Sequence, residues 1–468
     1  MPVVVASALL ASSCGARLSD DQVAALRAAQ RQGAAGAAPA GSTPPRAETA
    51  APAAPTGGPP AASTGAGPAA VAAAAGGRAP AAPPAAAAGA GAPSACTPSA
   101  GPAQPGLSAT EVRIGNVSTL SGPVPGFGKT GQNGVKAYLN YLRSQGGVCG
   151  RQLTLATADD RLDAGTNRSE TERLAGEVFA FVGGTSPVDD GGAAALANTD
   201  ISDVSFSFSE PRAALPNNFS PNPIDPACKC NGTVDILRSL KRANGVARAA
   251  IIYPAQAVAR SRAFAYKVDL AEAAIELVAL YEAPLTGATY SGFVNDMRDK
   301  GVDMVITTLE LNGMADLAKA FRTAAWEPKV KYFGAQAYGR QFLSLAGPAA
   351  EGTYAGLTTA IVEDRATNPA VETFVSWYER TNPGADIDFF AILGWASADL
   401  LVTALRNAGP APTRAGVLQQ LRAQTKWDAS GLLAPRNPAG KQRAPCHLIA
   451  VVKGGGWHRA TPAQGFEC

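Results

Sequence analysis

Histidine is nearly absent from this 468-residue chain, with only His447 and His458. That scarcity excludes the usual histidine-bearing zinc sites and leaves no plausible catalytic histidine. The seven cysteines form no C-x-x-C pair; the tightest spacing is Cys228 to Cys230. Charge of one sign is also lacking. Forty basic against 37 acidic residues give a net +3, so neither nucleic acid nor a strongly acidic partner is implied. No apolar run reaches the roughly 18 residues that would suggest a membrane span. A nucleophile elbow and a metal-ligand cluster are missing too. The chain is therefore not expected to be an enzyme, and no cofactor or metal is expected.

What is abundant is alanine, glycine and proline, concentrated near the N-terminus. From Gly33 to Gly106 the chain holds few large apolar side chains and cannot offset the entropy of ordering. A disordered tether is expected over residues 15–107, interrupted by one short helix at Leu18–Gln32 with Ser19 as its N-cap. Before it, MPVVVASALLASS leads to Cys14 and resembles the end of a lipoprotein signal, although no Lys or Arg precedes the apolar run and Ala11 stands three before the cysteine. Residues 1–14 would be the signal, and Cys14 would be lipidated and anchor the protein to the outer face of a membrane. That leaves six cysteines, for which 15 pairings exist.

From Glu111 the pattern changes. EVRIGNVSTL alternates and is rich in β-branched residues, as a strand is. A Gly/Pro loop and the helical GVKAYLNYLRSQ follow. Strands are then expected at 151–157, 178–183 and 203–208, separated by helices at 166–177 and 192–198. The alternation restarts with a helix at 232–244 and strands at 249–253, 276–281, 303–307 and 330–334, each pair spanned by a helix. Helices at 389–408 and 413–424 follow, then a strand at 446–453 with GGGW as a closing turn. Repeated β-α units mean parallel sheets with helices on both faces. The fold class is α/β, with two doubly wound parallel-sheet lobes, and ligands are expected at the C-terminal strand ends in the cleft between them.

Gly126, Gly128 and Gly131 spell G-x-G-x-x-G between a strand and a helix. A dinucleotide site is not expected, because the acidic Asp159-Asp160 comes later than the usual spacing of about 20 residues. Gly128-Lys129-Thr130 is no P-loop either, since Pro123 occupies the first glycine position.

The same loop resembles the first loop of the branched-chain amino-acid-binding (Leu/Ile/Val-type) family of ABC transporter substrate-binding proteins. The matching residues are Ile114-Gly115, Leu120-Ser121-Gly122-Pro123, Gly126-x-Gly128 and Gly131-x-x-Gly134. Further matches are Gly146-Gly147-Val148-x-Gly150-Arg151, Phe179 to Gly183, Gly301-Val302-Asp303, Gly394 to Ala398 and Pro445-Cys446 with Gly456-Trp457 and Cys468. The resemblance implies the type I periplasmic-binding-protein fold. Three hinge strands would join an N-lobe (108–226 and 358–433) to a C-lobe (227–357 and 434–468). It implies a Cys446–Cys468 disulfide and leaves Cys96, Cys149, Cys228 and Cys230 unassigned.

It also implies a ligand set. Ser121 and Phe127 belong to the first loop, with Phe127 against the ligand's apolar part. Ser186, Ser207 and Ser209 would hydrogen-bond a carboxylate. The family's Tyr-Gly reads Val258-Ala259 here, and its acidic ammonium partner aligns with Gln336. Either Glu310 would take over that charge, with Tyr338 adding a hydroxyl, or the ligand is not an α-amino acid. The expected function is that of a monomeric extracytoplasmic solute-binding lipoprotein. It would capture an amino acid or a related carboxylate or amide and deliver it to an ABC permease. The alternatives are a sensor of the same fold and, more remotely, a nucleotide-using enzyme.

Overall fold

The computed structural model describes residues 96–99, 101–223 and 231–468. Cys14, the 18–32 segment, most of the tether, Cys228 and Cys230 lie outside them. The expected tether boundary at residue 107 is too late. Cys96 is disulfide-bonded to Cys149, and Arg151 donates from Nη2 to the Ser99 carbonyl (3.0 Å), from Nε to Ser108 (2.8 Å) and from Nη1 to Pro410 (2.8 Å). A cross-link and a guanidinium with three carbonyl partners order the chain well before Ser108.

The first sheet has the order β2-β1-β3-β4 and is wholly parallel. Its strands are β1 (Glu111–Ser118), β2 (Gln152–Asp159), β3 (Ala180–Val182) and β4 (Asp203–Val204). Ile114 pairs with both Leu155 and Ala180, and it is fully buried, as a central parallel strand covered on both faces requires. The strand expected at 203–208 ends at Val204. Asp203 is fully buried against Arg212 (2.6 Å), and Asp189 accepts the backbone N–H groups of Phe208 (2.7 Å) and Ser209 (3.0 Å). Those bonds replace a strand ladder and turn residues 206–208 into a loop.

The second sheet has the order β11-β10-β9-β8-β7-β5-β6. It comprises β5 (Arg248–Pro254), β6 (Glu276–Ala283), β7 (Met304–Thr307), β8 (Val330–Tyr332), β9 (Thr353–Leu357), β10 (Leu448–Lys453) and β11 (Gly456–Thr461). Strands β5 to β9 pair in parallel, whereas β10 is antiparallel to both β9 and β11. GGGW is therefore the turn and first residues of a hairpin rather than the chain's last turn. The Cys446–Cys468 disulfide closes this hairpin, beside reciprocal backbone hydrogen bonds between His447 and Glu467.

Chain segments run between the sheets near 358 and 434 and pair through a Thr359–Leu433 bridge, and the Thr358 hydroxyl donates to Asn222 (3.0 Å). The buried Arg436 guanidinium ties these segments to one another. It donates to the carbonyls of Pro221, Thr358 (2.6 Å) and Ala434 (2.9 Å). Burial pushes this guanidinium down to about 9, so it stays protonated at neutral pH.

After the crossing near 358 the chain returns to the first lobe through helices Pro369–Thr381, Phe389–Asn407 and Arg414–Arg422. Phe389–Asn407 is long and apolar enough to cross a membrane, but 83% of that window is buried, as in a core helix. It packs against helix Lys129–Ser144, backbone to backbone. A Cβ on Gly394 would lie 1.9 Å from the Gly131 carbonyl oxygen, and one on Gly134 would lie 2.0 Å from that of Ala391. The second part of the glycine motif thus serves helix packing.

Candidate functional site

A cavity of ≈ 250 Å³ opens between the two sheets. It is smaller than the roughly 300–1,000 Å³ common for drug-sized ligands, which suits a small solute. Its walls are the segments that follow parallel strands, as expected where two doubly wound sheets face one another.

The first-lobe wall is aromatic. Phe127 follows β1, Phe206 and Phe208 follow β4, and Phe389 begins the 389–407 helix. Behind them Phe390 lies 5.3 Å from Phe127, and Phe206 meets Phe208 edge-on at 4.6 Å. Such tilted contacts fix ring orientation. Two buried carboxyl groups position this wall. Asp189 holds the 208–209 backbone. Asp388 caps the 389–407 helix by accepting the Ala391 N–H (2.8 Å), and it also accepts the Thr130 hydroxyl (2.8 Å). Burial pushes each of them up to about 7, against hydrogen bonds that pull the other way.

The second-lobe wall is mixed. Gln256, Val258 and Arg262 follow β5, Thr307 ends β7 with Thr308 and Glu310 after it, and Gln336 follows β8. Arg262 stacks its guanidinium over the Tyr266 ring at 4.1 Å, and Nη2 reaches the Thr233 hydroxyl at 3.4 Å. Tyr266 is in turn perpendicular to Tyr332 at 6.1 Å. Glu310 is an N-cap, its two oxygens accepting the N–H groups of Asn312 (2.7 Å) and Gly313 (2.6 Å). Near the crossings His447 joins the wall; burial holds its imidazole below the ordinary value.

Of the residues expected at the site, Phe127, Ser207, Glu310 and Gln336 line this cavity, as does Val258. Ser207 is fully buried, and its hydroxyl has no hydrogen-bond partner. The other four are elsewhere. Ser121 is exposed, and its Oγ donates to Asp159 (2.5 Å). Burial raises the Asp159 carboxyl, but bonds from Ser121 and from the backbone of Leu120 and Arg161 outweigh it and hold the group below its usual range. Ser186 is sealed in the Asp160 network with Thr119 and Asn167, and its neighbour Pro187 reaches the cavity instead. Ser209 caps the short helix Glu210–Ala213. Tyr338 packs on Trp457 at 5.5 Å, donates to Glu363 (2.8 Å) and accepts from the Val362 N–H (2.6 Å).

The sequence reading missed Phe206, Phe208, Phe389, Arg262, Tyr266, Tyr332 and His447. One readable signal was the four-residue spacing of Arg262 and Tyr266, which puts both on one helix face. The other is the alternation SFSF over 205–208, which reads as a strand.

The match to the periplasmic binding protein family model runs over residues 111–456. A Leu/Ile/Val-binding protein from Rhizobium johnstonii, BraC3, is 29% identical over 85 residues, a segment that spans 18% of this chain and 23% of that relative. Among solved structures, a fatty acid ABC transporter substrate-binding protein from Thermomonospora curvata superposes with a TM-score of 0.67 at 19% identity, over 79% of this chain and 95% of that one. A branched-chain amino acid transporter substrate-binding protein, LivJ, from Streptococcus pneumoniae, in complex with isoleucine, gives 0.64 at 16% identity, over 75% and 100%. At these identities the structural likeness carries the fold alone, mixed α/β with parallel sheets. With the family model matched along most of the folded chain, the protein belongs to the periplasmic binding protein family.

Proposed function

We propose that this protein is an extracytoplasmic solute-binding lipoprotein that captures one small metabolite between its lobes and delivers it to an ABC importer. The observation that carries the reading is the cavity itself, walled by loops at the C-terminal strand ends of two sheets joined by crossings near 358 and 434. The lobes would close about those crossings on the ligand, the hinge motion that presents a loaded binding protein to a permease. Residues 15–95 would give reach from a lipidated Cys14, and the chain would act as a monomer.

The two superposed structures are named for a fatty acid transporter and for a complex with isoleucine, so the fold accommodates both classes of ligand. Thermal unfolding of the full chain with α-amino acids, amides, short-chain and aromatic carboxylates and sugars tests the reading. At least one compound should raise Tm in a concentration-dependent way; no shift across the panel would defeat the proposal. Cys14→Ser should release the protein from the membrane fraction, and unchanged membrane association would refute the anchor.

A further inference from the structure

The cavity is chemically asymmetric. One wall is a cluster of phenyl rings. The other holds the guanidinium groups of Arg262 and Arg443 together with several hydrogen-bonding atoms that have no partner, Arg262 Nη1 among them. Arg262 is partly buried on that wall, and its Nη1 is sealed from solvent without a hydrogen-bond partner. No carboxylate oxygen lies within 4.0 Å of this guanidinium among the described residues. Asp269, two helical turns along, acts on it only at longer range and has an oxygen of its own without a partner. A guanidinium has five N–H donors, and a buried donor left unmade is costly. Both ring nitrogens of the buried His447 and the Ser207 hydroxyl are likewise unpartnered, and both residues line the same cavity.

The opposite charge is poorly provided for. Gln336 offers only a dipole, and Glu310 already uses one lone pair on each oxygen to cap the 311–323 helix. A buried ammonium would lack a dedicated anionic partner, which is expensive in a low-dielectric cleft.

Resting on the solute-binding reading, we infer that the ligand is a small amphipathic carboxylate without an α-ammonium group, its anion taken by Arg262 and its apolar body by Phe127, Phe206, Phe208 and Phe389. Arg262 is then the specificity-determining residue. Its planar fork matches a carboxylate in two parallel bonds, and its stacking on Tyr266 pre-orients it. The ≈ 250 Å³ cavity limits the body to a short alkyl chain or a single ring.

Calorimetric titration of the full chain tests this with matched probes: 3-phenylpropionate and hexanoate, their amides, L-phenylalanine and L-leucine. At least one carboxylate should bind about 100-fold more tightly than its amide, as expected when a buried charge pair loses one partner. It should also bind at least about 10-fold more tightly than the amino acid of like side chain. Arg262→Gln should abolish the carboxylate preference, and Arg262→Lys should retain part of it. The wild-type comparison of acid and amide stands even if a variant fails to fold. Equal binding of acid and amide, tighter binding of phenylalanine or leucine, or an unchanged preference in Arg262→Gln would overturn the inference while leaving a solute-binding protein. Failure of these probes together with the full metabolite panel would overturn both.

Discussion

Replacing Gly394 with alanine tests whether the first lobe is built as described. Alanine is the better helix former by about 1 kcal/mol, so on propensity alone the change should stabilise the 389–407 helix. Packing opposes this. The new Cβ would lie 1.9 Å from the Gly131 oxygen and 2.8 Å from its carbonyl carbon, and both atoms are backbone, so no side chain can swing away. The two helices must separate by more than an ångström, and overpacking of this kind costs roughly 1–3 kcal/mol, occasionally more. With no flexible atom to yield, the upper end applies, and the net loss should be about 2 kcal/mol. Urea unfolding of Gly394→Ala should show a lower midpoint at unchanged slope. Gly292→Ala is the control, because a Cβ there meets nothing within 4 Å; it should be neutral or gain up to ~1 kcal/mol. Equal or greater stability of Gly394→Ala would refute the backbone contact. Because Phe389 and Phe390 open the same helix, the variant should also weaken whatever the cavity binds.

Two further predictions concern the groups that brace the cavity. The Asp388 carboxyl, pushed up to about 7 by burial, has a folded value above its unfolded one. Its contribution is complete below the unfolded value near 4 and is lost as pH rises through about 7. Asp388→Asn keeps a capping oxygen and removes the titration, so its stability should decline less than that of the wild type between pH 5 and pH 8; parallel curves would contradict the assignment. Removing the Cys446–Cys468 bridge frees a segment with a sequence separation of 22 residues. The Cys446→Ser/Cys468→Ser protein should lose about 3 kcal/mol by urea unfolding, and no loss would mean the hairpin holds without it.

The architecture was legible because parallel strands and amphipathic helices write different periods. β5 and β7 stand out as AAIIY and DMVIT, and both were placed within a residue or two. What was missed was short or locally ambiguous. β9, TYAGL, has no alternating apolar pattern, and helix Pro369–Thr381 was overlooked although Asn368 caps it and Pro369 opens it. The SFSF of residues 205–208 reads as a strand on propensity alone. Only the buried Asp189 carboxylate, remote in sequence and visible only after folding, converts it to a loop with phenyl rings on the cavity. Hydroxyls in family-like positions were easier to nominate than to place. Ser207 lines the cavity, while Ser186 and Ser209 serve a buried network and a helix cap. Arg262 is not legible in the sequence because an arginine within a helix is usually solvated, as its neighbour Arg260 is, and only the packing around Tyr266 distinguishes it.

If a small solute is held in the cavity between the two sheets, filling that cavity must abolish its binding. Thermal unfolding of the full chain across the metabolite panel, run in parallel on Val258→Trp, addresses it directly. Val258 lines the cavity and is only partly buried, so an indole there fills the site without displacing the core. For the wild type, a ligand at 100 times its Kd should add about 2.7 kcal/mol to the stability. At least one compound should give a concentration-dependent rise in Tm that disappears in Val258→Trp. The absence of any shift in the wild type, or a shift that survives the filled cavity, would contradict binding there.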